Sequence, residues 1–600
     1  MKKKYTFMSI IPRLIPMQFM ASPKMNGLQL IVNMSLALLL AINVILTQRL
    51  FDAISLAAAG VADFWTCVSP LIIMALVAIG HQFIYGLNFI LWGYLSGKTV
   101  GRLRTLLQQK IQRIFPVQFE DTVFLDDLNK ANEGLMTVNY ICLVTYALLV
   151  YHSLYFVIIS SYLFRLQPML LLTLAMAFVP ALFSLIARMR VFNKLEEHSA
   201  PLRREYEYYQ KTLCDREYFK ETRILGAFKF FHLLFSDTLR LLTHKQWQAE
   251  RKTSLVQLAL NLTTFAGMGS STYLLFSATM AGDISVGAFA AVYAALNTIF
   301  MIMNEVFYLH LSNFSREIGK VANFIRVLDT HERTGAEGTP DFSKGISADN
   351  INFTYPGRDE PAVKKVSLTI AEGETIAIVG ENGAGKSTLV RLLTGIYLPS
   401  EGKVSVGGLD TVSTMPAFLY QHTSGVFQKY QRYKMTLDEN VAISDTRDGI
   451  TREPIISRVE TVLKQADAKL NVPLDTMLSP EYDGIDLSGG QWQRVAIARG
   501  LYRSNGFIVL DEPTSAIDPI EETRIYKQFQ QLSEGKCGIL VTHRLGSAKL
   551  AHRIIVMDAG EIIDIGTHEE LLARSGRYAE MWKAQAQWYE RNHWKREMER

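Results

Sequence analysis

The run Gly380-Glu381-Asn382-Gly383-Ala384-Gly385-Lys386-Ser387-Thr388 has the residue types and spacing of a phosphate cradle, G-x-x-x-x-G-K-S. It lies where such a loop must lie, after an apolar stretch that reads as a strand (Glu374 to Val379) and before one that reads as a helix (Ser387 to Leu393). Glycines let backbone N–H groups converge on phosphate oxygens, and the helix N-terminus adds its dipole. Lys386 is then placed to reach the β and γ phosphates, and the Ser387 hydroxyl to ligate Mg²⁺. Downstream, the apolar strand Phe507 to Leu510 ends in Asp511-Glu512. A carboxylate at the tip of a buried strand suits Asp511 to holding Mg²⁺, and the adjacent Glu512 to orienting or deprotonating an attacking water.

The elements that position these groups begin near Ser347, where short apolar runs alternate with helical stretches. Glu374 to Val379, Gly506 to Leu510, Gly538 to Val541 and Arg553 to Met557 read as buried parallel strands of an α/β domain. Residues 331–346, rich in Gly and charge with one Pro, read as a linker.

Ahead of the linker the chain is of a different kind. Six stretches lack any Asp, Glu, Lys or Arg: between Lys24 and Arg49, Asp63 and Lys98, Glu133 and Arg165, Arg165 and Arg188, Lys252 and Asp283, and Asp283 and Glu305. Each exceeds the roughly 20 residues a helix needs to cross a bilayer core. Six membrane helices are therefore expected within residues 27–330, behind a cytoplasmic tail of residues 1–26. The first apolar run, Leu28 to Leu46, is longer than the ~7 to 15 residues of a cleaved signal. Lys and Arg crowd the tail, the connection 98–132 and the connection 188–252, while the other connections hold one or none. This alternation places the tail and everything after Phe307 on the cytoplasmic side of the membrane, in a multi-pass protein. Both inner connections carry apolar residues at helical spacing, so they extend the membrane helices into the cytoplasm.

Averaged over 600 residues the composition looks like that of a soluble protein, with 49% hydrophobic residues, 20% charged and a net charge of +5. That excludes disorder, and a charge so weak and so spread excludes nucleic acid as a partner. Residues 1–307 hold 27 Lys and Arg against 18 Asp and Glu, and the remainder 35 against 39, so the mean conceals a basic half and a mildly acidic one. Cys67, Cys142, Cys214 and Cys537 lack metal or disulfide spacing and read as packing residues.

Between the two phosphate-site motifs lies Leu487-Ser488-Gly489-Gly490-Gln491. With it, residues 348–580 resemble the nucleotide-binding domain of ATP-binding-cassette (ABC) proteins, and the chain as a whole resembles a half-size exporter of that family. The fold class this implies is multidomain: a six-helix α-helical transmembrane domain followed by an α/β P-loop (ABC ATPase) domain over residues 347–600, with a C-terminal helical tail. ATP and Mg²⁺ are the implied cofactors. By the same resemblance Tyr355 stacks on adenine, Gln428 contacts Mg²⁺ and the attacking water, Asp518 in Ser515-Ala-Ile-Asp518 faces the partner subunit, and His543 meets the γ-phosphate. The family pairs two cassettes head to tail, so that Ser488, Gly489, Gly490 and Gln491 of one subunit close on the phosphate loop of the other. A homodimer with two competent sites is the expected assembly. The tips of the inner connections, near Phe119 to Asp127 and Asp215 to Phe228, are expected to dock beside Gln428. Where many exporters carry a T-E-V-G-E-like segment, this chain has Ser479-Pro-Glu-Tyr-Asp-Gly484.

Polar residues inside the apolar stretches, namely His81, Gln82, Asn261, Thr263, Thr264, Asn304 and Glu305, either line a cavity or bond between helices. Gly267, Gly269, Ser270 and Ser271 read as close-packing positions. Lys220 to Gly226 and Gly490 to Arg494 are similar to bacterial exporters of lanthipeptides, which makes a modified peptide the expected cargo. The 26 residues before the first span are too few for a leader-cleaving cysteine peptidase domain. The alternatives are export of a lipid or amphipathic drug and, from another class, an ATP-gated channel or regulatory membrane protein. Intact Glu512 and His543 speak against the last.

Overall fold

The computed structural model describes residues 7–445, 452–503, 505–512, 524, 526, 529–531 and 533–586. It divides into a helical unit, Met1–Lys110 with Asp126–Asp329, and a cassette unit, Ile111–Leu125 with Thr330–Arg600.

In the helical unit, five segments among the described residues are long and apolar enough to cross a membrane: Pro23–Ala58, Phe64–Arg113, Leu135–Leu166, Pro168–Phe192 and Val286–Asn304. The remaining expected stretch, Lys252 to Asp283, forms the C-terminal half of the 54-residue helix Phe228–Ala281 and is not among the five. Its hydroxyl-rich composition lowers its hydropathy. Thr263, Thr264 and Ser270 satisfy their hydroxyls on backbone carbonyls within the helix, whereas Ser271 also donates to Thr173 Oγ1 at 3.0 Å on the helix Pro168–Cys214. An added Cβ at Gly269 would meet nothing within 4 Å, so that glycine is not a close-packing position in this chain.

Helices of 47, 50 and 54 residues are roughly 70 to 80 Å long at about 1.5 Å per residue, more than twice an apolar bilayer core of about 30 Å. Their polar halves hold together by other means. Along Pro168–Cys214 and Phe228–Ala281, Arg188 pairs with Glu250 at 3.1 Å, and Tyr206 stacks on Phe235 with centroids 5.1 Å apart.

The helices Pro23–Ala58 and Val286–Asn304 approach closely because Ala37, Ala41, Ala288, Ala291 and Ala295 leave little side chain at their seam. Ser285 caps the second helix by accepting from Ala288 N–H, and Gly287 N–H donates to Asp52 Oδ1 at 2.9 Å.

In the cassette unit, β1 (Ile346–Phe353), β2 (Val363–Ile370), β4 (Glu401–Val406) and β5 (Leu409–Asp410) form an antiparallel sheet in the order β2-β1-β4-β5. A second sheet has the order β10-β9-β3-β8-β7-β6, built from β3 (Thr375–Gly380), β6 (Thr423–Val426), β7 (Phe507–Asp511), β8 (Cys537–Val541), β9 (Arg553–Asp558) and β10 (Glu561–Gly566). It is parallel except for β10 at its edge. Every residue of β7 and β8 is buried, which is why their sequences are continuous apolar runs.

The stretch that composition marks as a linker is packed. Arg333 is 6% exposed and donates to Gly395 O at 2.6 Å, Thr411 O at 3.0 Å and the Tyr420 hydroxyl at 3.2 Å. Its N–H also donates to Arg113 O at 2.7 Å, fastening the segment Ile111–Leu125 to the cassette. A Gly-rich, charged sequence specifies turns here, not freedom.

Gly287 supplies a test of the helical seam, because a Cβ there would lie 2.2 Å from Gln48 O and 2.4 Å from Asp52 Oδ1. Gly287→Val should lower the melting temperature of the detergent-purified protein, by overpacking worth about 1–3 kcal/mol. An unchanged transition would contradict this packing.

Candidate functional site

Four parallel strands, β3, β6, β7 and β8, deliver the site. β3 runs into the loop Gly380 to Gly385, whose glycines adopt backbone angles closed to other residues: φ is 154° at Gly380, 87° at Gly383 and 94° at Gly385. Sterics demand glycine at two of them as well. A Cβ at Gly380 would fall 2.2 Å from Met557 O, and one at Gly385 2.5 Å from Ala362 O. The loop opens the helix Lys386–Leu393, and Ala384 is buried against the strand ends while Glu381, Asn382 and Gly383 are exposed. Glu381 pairs with Arg577.

Lys386 is 5% exposed and folds back along the loop, donating to Gly380 O at 3.0 Å and Glu381 O at 2.9 Å. Burial holds its pKa below the ordinary lysine value, opposed by the charges of Glu512 and Asp511. Ser387 Oγ donates to Asp511 Oδ1 at 3.3 Å. Burial first, and then the neighbouring Glu512, push the Asp511 carboxyl above the usual carboxylate range.

Glu512 follows β7 with φ of 46°, an unfavourable angle for a residue with a side chain, and its N–H is held by Val541 O at 3.0 Å. One carboxylate oxygen meets His543 Nε2 at 2.5 Å and Lys386 Nζ at 4.0 Å, while the other accepts from Gln428 Nε2 at 3.0 Å. The structure thus brings Lys386, Ser387, Asp511, Glu512, Gln428 and His543 into one cluster. Tyr355 stands beside it: its hydroxyl bonds Thr388 Oγ1 at 2.9 Å and accepts from Arg391 at 3.2 Å.

The residues fit a nucleotide phosphate chain with a divalent cation. Glycines that no other residue can replace form the cradle, a buried ammonium lines it, and a hydroxyl and a carboxylate already in hydrogen-bond reach supply hard oxygen ligands.

Leu487 to Gln491 stand apart. Among the described residues, no hydrogen bond joins them to Gly380 to Thr388. Ser488 and Gln491 cap the helix Gly489–Tyr502 reciprocally: Ser488 Oγ accepts from Gln491 N–H at 3.3 Å and Gln491 Oε1 accepts from Ser488 N–H at 2.9 Å. The S-x-x-Q spacing itself signals this capping box, a reading the motif's better-known role obscures. A Cβ at Gly489 or Gly490 would meet nothing within 4 Å. Packing within the chain therefore does not require glycine there, in contrast to Gly380 and Gly385. Asp518 and its neighbours Ser515 to Ile517 lie outside the described residues.

One cluster was not legible from spacing. Glu120, on the segment Ile111–Leu125, accepts from the Tyr397 hydroxyl and pairs with Arg391 at 3.5 Å, and the Arg391 guanidinium lies 5.3 Å from the Tyr397 ring centre. Burial, and then this bond to Glu120, raise the Tyr397 phenol well above its usual range. The tip of the first inner connection thus reaches the cassette at Arg391 and Tyr397, with Arg391 one turn from Ser387. The tip of the second, Asp215 to Phe228, belongs to the helical unit.

Comparison with known proteins agrees with this geometry. Residues 363–515 match the family model described as "ABC transporter". The subtilin transport ATP-binding protein SpaT of Bacillus subtilis is 31% identical over 371 residues, 60% of either chain. The nisin transport ATP-binding protein NisT of Lactococcus lactis is 37% identical over 236 residues, 39% of either chain. An ATP-dependent lipid A-core flippase of Haemophilus ducreyi is 32% identical over 334 residues, 55% of this chain and 56% of that one. The matched stretches thus span about 60% or less of these relatives' length. A bacterial Atm1-family ABC exporter solved with ATP bound superposes with a TM-score of 0.73 at 22% identity, over 96% of this chain and 100% of that one. The chain carries an ABC transporter ATPase domain and, taken whole, has the fold of an ABC exporter, with membrane-type helices fused ahead of the cassette.

Proposed function

We propose that the chain is one half of a homodimeric, ATP-driven exporter of the plasma membrane, with a modified peptide as cargo. The observation that carries the reading is the convergence of Lys386, Gln428 and His543 on Glu512. A group that only bound nucleotide would have no use for a strained carboxylate held by an amide and an imidazole.

In this reading Gly380 to Thr388 hold the triphosphate, and Lys386 swings from the loop carbonyls to the phosphates. Tyr355 meets the adenine. Ser387, Asp511 and Gln428 would hold Mg²⁺, whose charge offsets that of the β and γ oxygens. Glu512 orients the attacking water and takes its proton, and His543 holds the γ-phosphate. The loop Ser488 to Gln491, with Asp518, closes the site of a second copy. The open space where a Cβ would stand at Gly489 and Gly490 supports that role, since it gives a second copy room to approach this helix N-terminus closely.

Peptide cargo is supported by the similarity to the subtilin and nisin transport proteins. A lipid is the second reading, supported by comparable identity to the lipid A-core flippase. The cytoplasmic placement of tail and cassette is supported by the Lys and Arg distribution.

Protein reconstituted in lipid should hydrolyse MgATP, and Glu512→Gln should lower turnover at least a hundredfold while retaining ATP in a stable dimer. Equal, negligible turnover in both would refute the exporter reading. Gly385→Ala should destabilise the cassette, whereas Gly489→Ala should leave its melting temperature within about 1 °C and still depress hydrolysis. Loss of stability at Gly489 would count against a role in contacting a second copy. Inverted vesicles should accumulate a labelled lanthipeptide in an ATP-dependent way. Transfer of labelled lipid A without peptide uptake would select the lipid reading.

A further inference from the structure

Two helices of the helical unit are interrupted by π-helical turns, Leu148–His152 and Glu305–Leu311. Such turns widen a helix by one residue and recur at functional sites. Both contribute to the wall of one cavity of ≈ 330 Å³, where they present Tyr151, His152, Glu305 and His310. His152 and His310 are 3% and 7% exposed, whereas the Glu305 side chain is half exposed.

The donor atoms of His152, Glu305 and His310 all lie within 4.8 Å of one another. His310 Nε2 is 3.2 Å from Glu305 Oε1, and its Nδ1 bonds the Tyr140 hydroxyl at 3.0 Å. The Nδ1 of His152 is buried and has no hydrogen-bond partner. An apolar helix surface gives no reason for two buried imidazoles and a carboxylate to converge, one with a nitrogen left unpaired.

We propose that His152, Glu305 and His310 form a site for a divalent transition-metal ion of the zinc class in the wall of this cavity. Two imidazoles and one carboxylate form a zinc donor set, and they are a poor match for Mg²⁺ or Ca²⁺, which take oxygen. Tetrahedral Zn²⁺ with bonds of about 2.0–2.1 Å sets its donors about 3.3 Å apart. The Glu305 and His310 atoms already have that separation, and side-chain rotation of His152 supplies the rest. Tyr140 acts as the supporting partner, because a proton on His310 Nδ1 directed at its oxygen leaves Nε2 free to ligate. Three protein ligands leave a position open toward the cavity, whose wall also carries Gln29, Asn33 and Asn88. Water or a donor atom of the cargo would take it.

The test uses the full-length, untagged protein in detergent, stripped with chelator and titrated with Zn²⁺ or Co²⁺ alone. One tight equivalent per chain is expected, with the intense visible absorption of tetrahedral Co²⁺. The double variant His152→Ala/His310→Ala should lose that equivalent. Tyr140→Phe, which keeps all three ligands and guards against a folding artefact, should bind about 10–100-fold more weakly. No uptake by the unaltered protein, a Co²⁺ spectrum like that of the aqueous ion, or equal affinity in unaltered protein and Tyr140→Phe would overturn the proposal. Metal content is read without ATP, so the result stands apart from that of the export assay.

Discussion

The parallel pairing of β3, β8 and β7 is the constraint on which the nucleotide site depends. Val541 lies opposite both Ile378 and Asp511, so β8 and β7 end level while β3 runs two residues further, and the phosphate loop, His543 and the Asp511-Glu512 pair emerge at the same end of the sheet. A slip of one residue would move a strand end by about 3.3 Å and turn every side chain over. That displacement exceeds the lengths of the bonds from Glu512 to His543 and Gln428. The apolar composition of these strands therefore does more than fill a core: it fixes the register in which the polar tips can meet.

Electrostatics completes what the register begins. Asp511 and Glu512 are adjacent, largely buried carboxylates that repel each other, and Lys386 lies between the loop carbonyls and both of them. Each charge would be costly alone, and together they offset one another. The strained backbone at Glu512 costs of order 1–3 kcal/mol and is held by the bond to Val541. Such strain keeps the carboxylate aimed at its partners, where a relaxed strand would carry it away.

What the sequence made legible was local. A glycine-rich loop between a strand and a helix, an apolar run ending in two acids, and long uncharged gaps each announce themselves over a few tens of residues. The antiparallel sheet was harder to see, because β1, β2 and β4 alternate buried and exposed positions with register shifts between them. Glu120 and Tyr397 are separated by 277 positions, and nothing in the composition of either neighbourhood names the other. The π-helical turns escaped for another reason: an apolar helix gives no local signal where one residue is inserted into its hydrogen-bonding ladder. Glu305 was visible as a charge at the end of an apolar stretch, but its meeting with His152 depends on the packing of helices that hydropathy only counts.

Arg333 shows how far composition and energetics can disagree about where a module begins. Its guanidinium occupies a pocket of carbonyls formed by Gly395 and Thr411 and closed by Tyr420, all on the cassette side of the apparent linker. A cassette expressed alone from Ile346 would leave those acceptors without their cation and open a polar hole beneath the helix Pro416–Tyr420. A piece that keeps this cation among its acceptors starts upstream of Arg333. For the same reason a protease with a taste for arginine should find this one sheltered, in a stretch whose sequence advertises an easy cut.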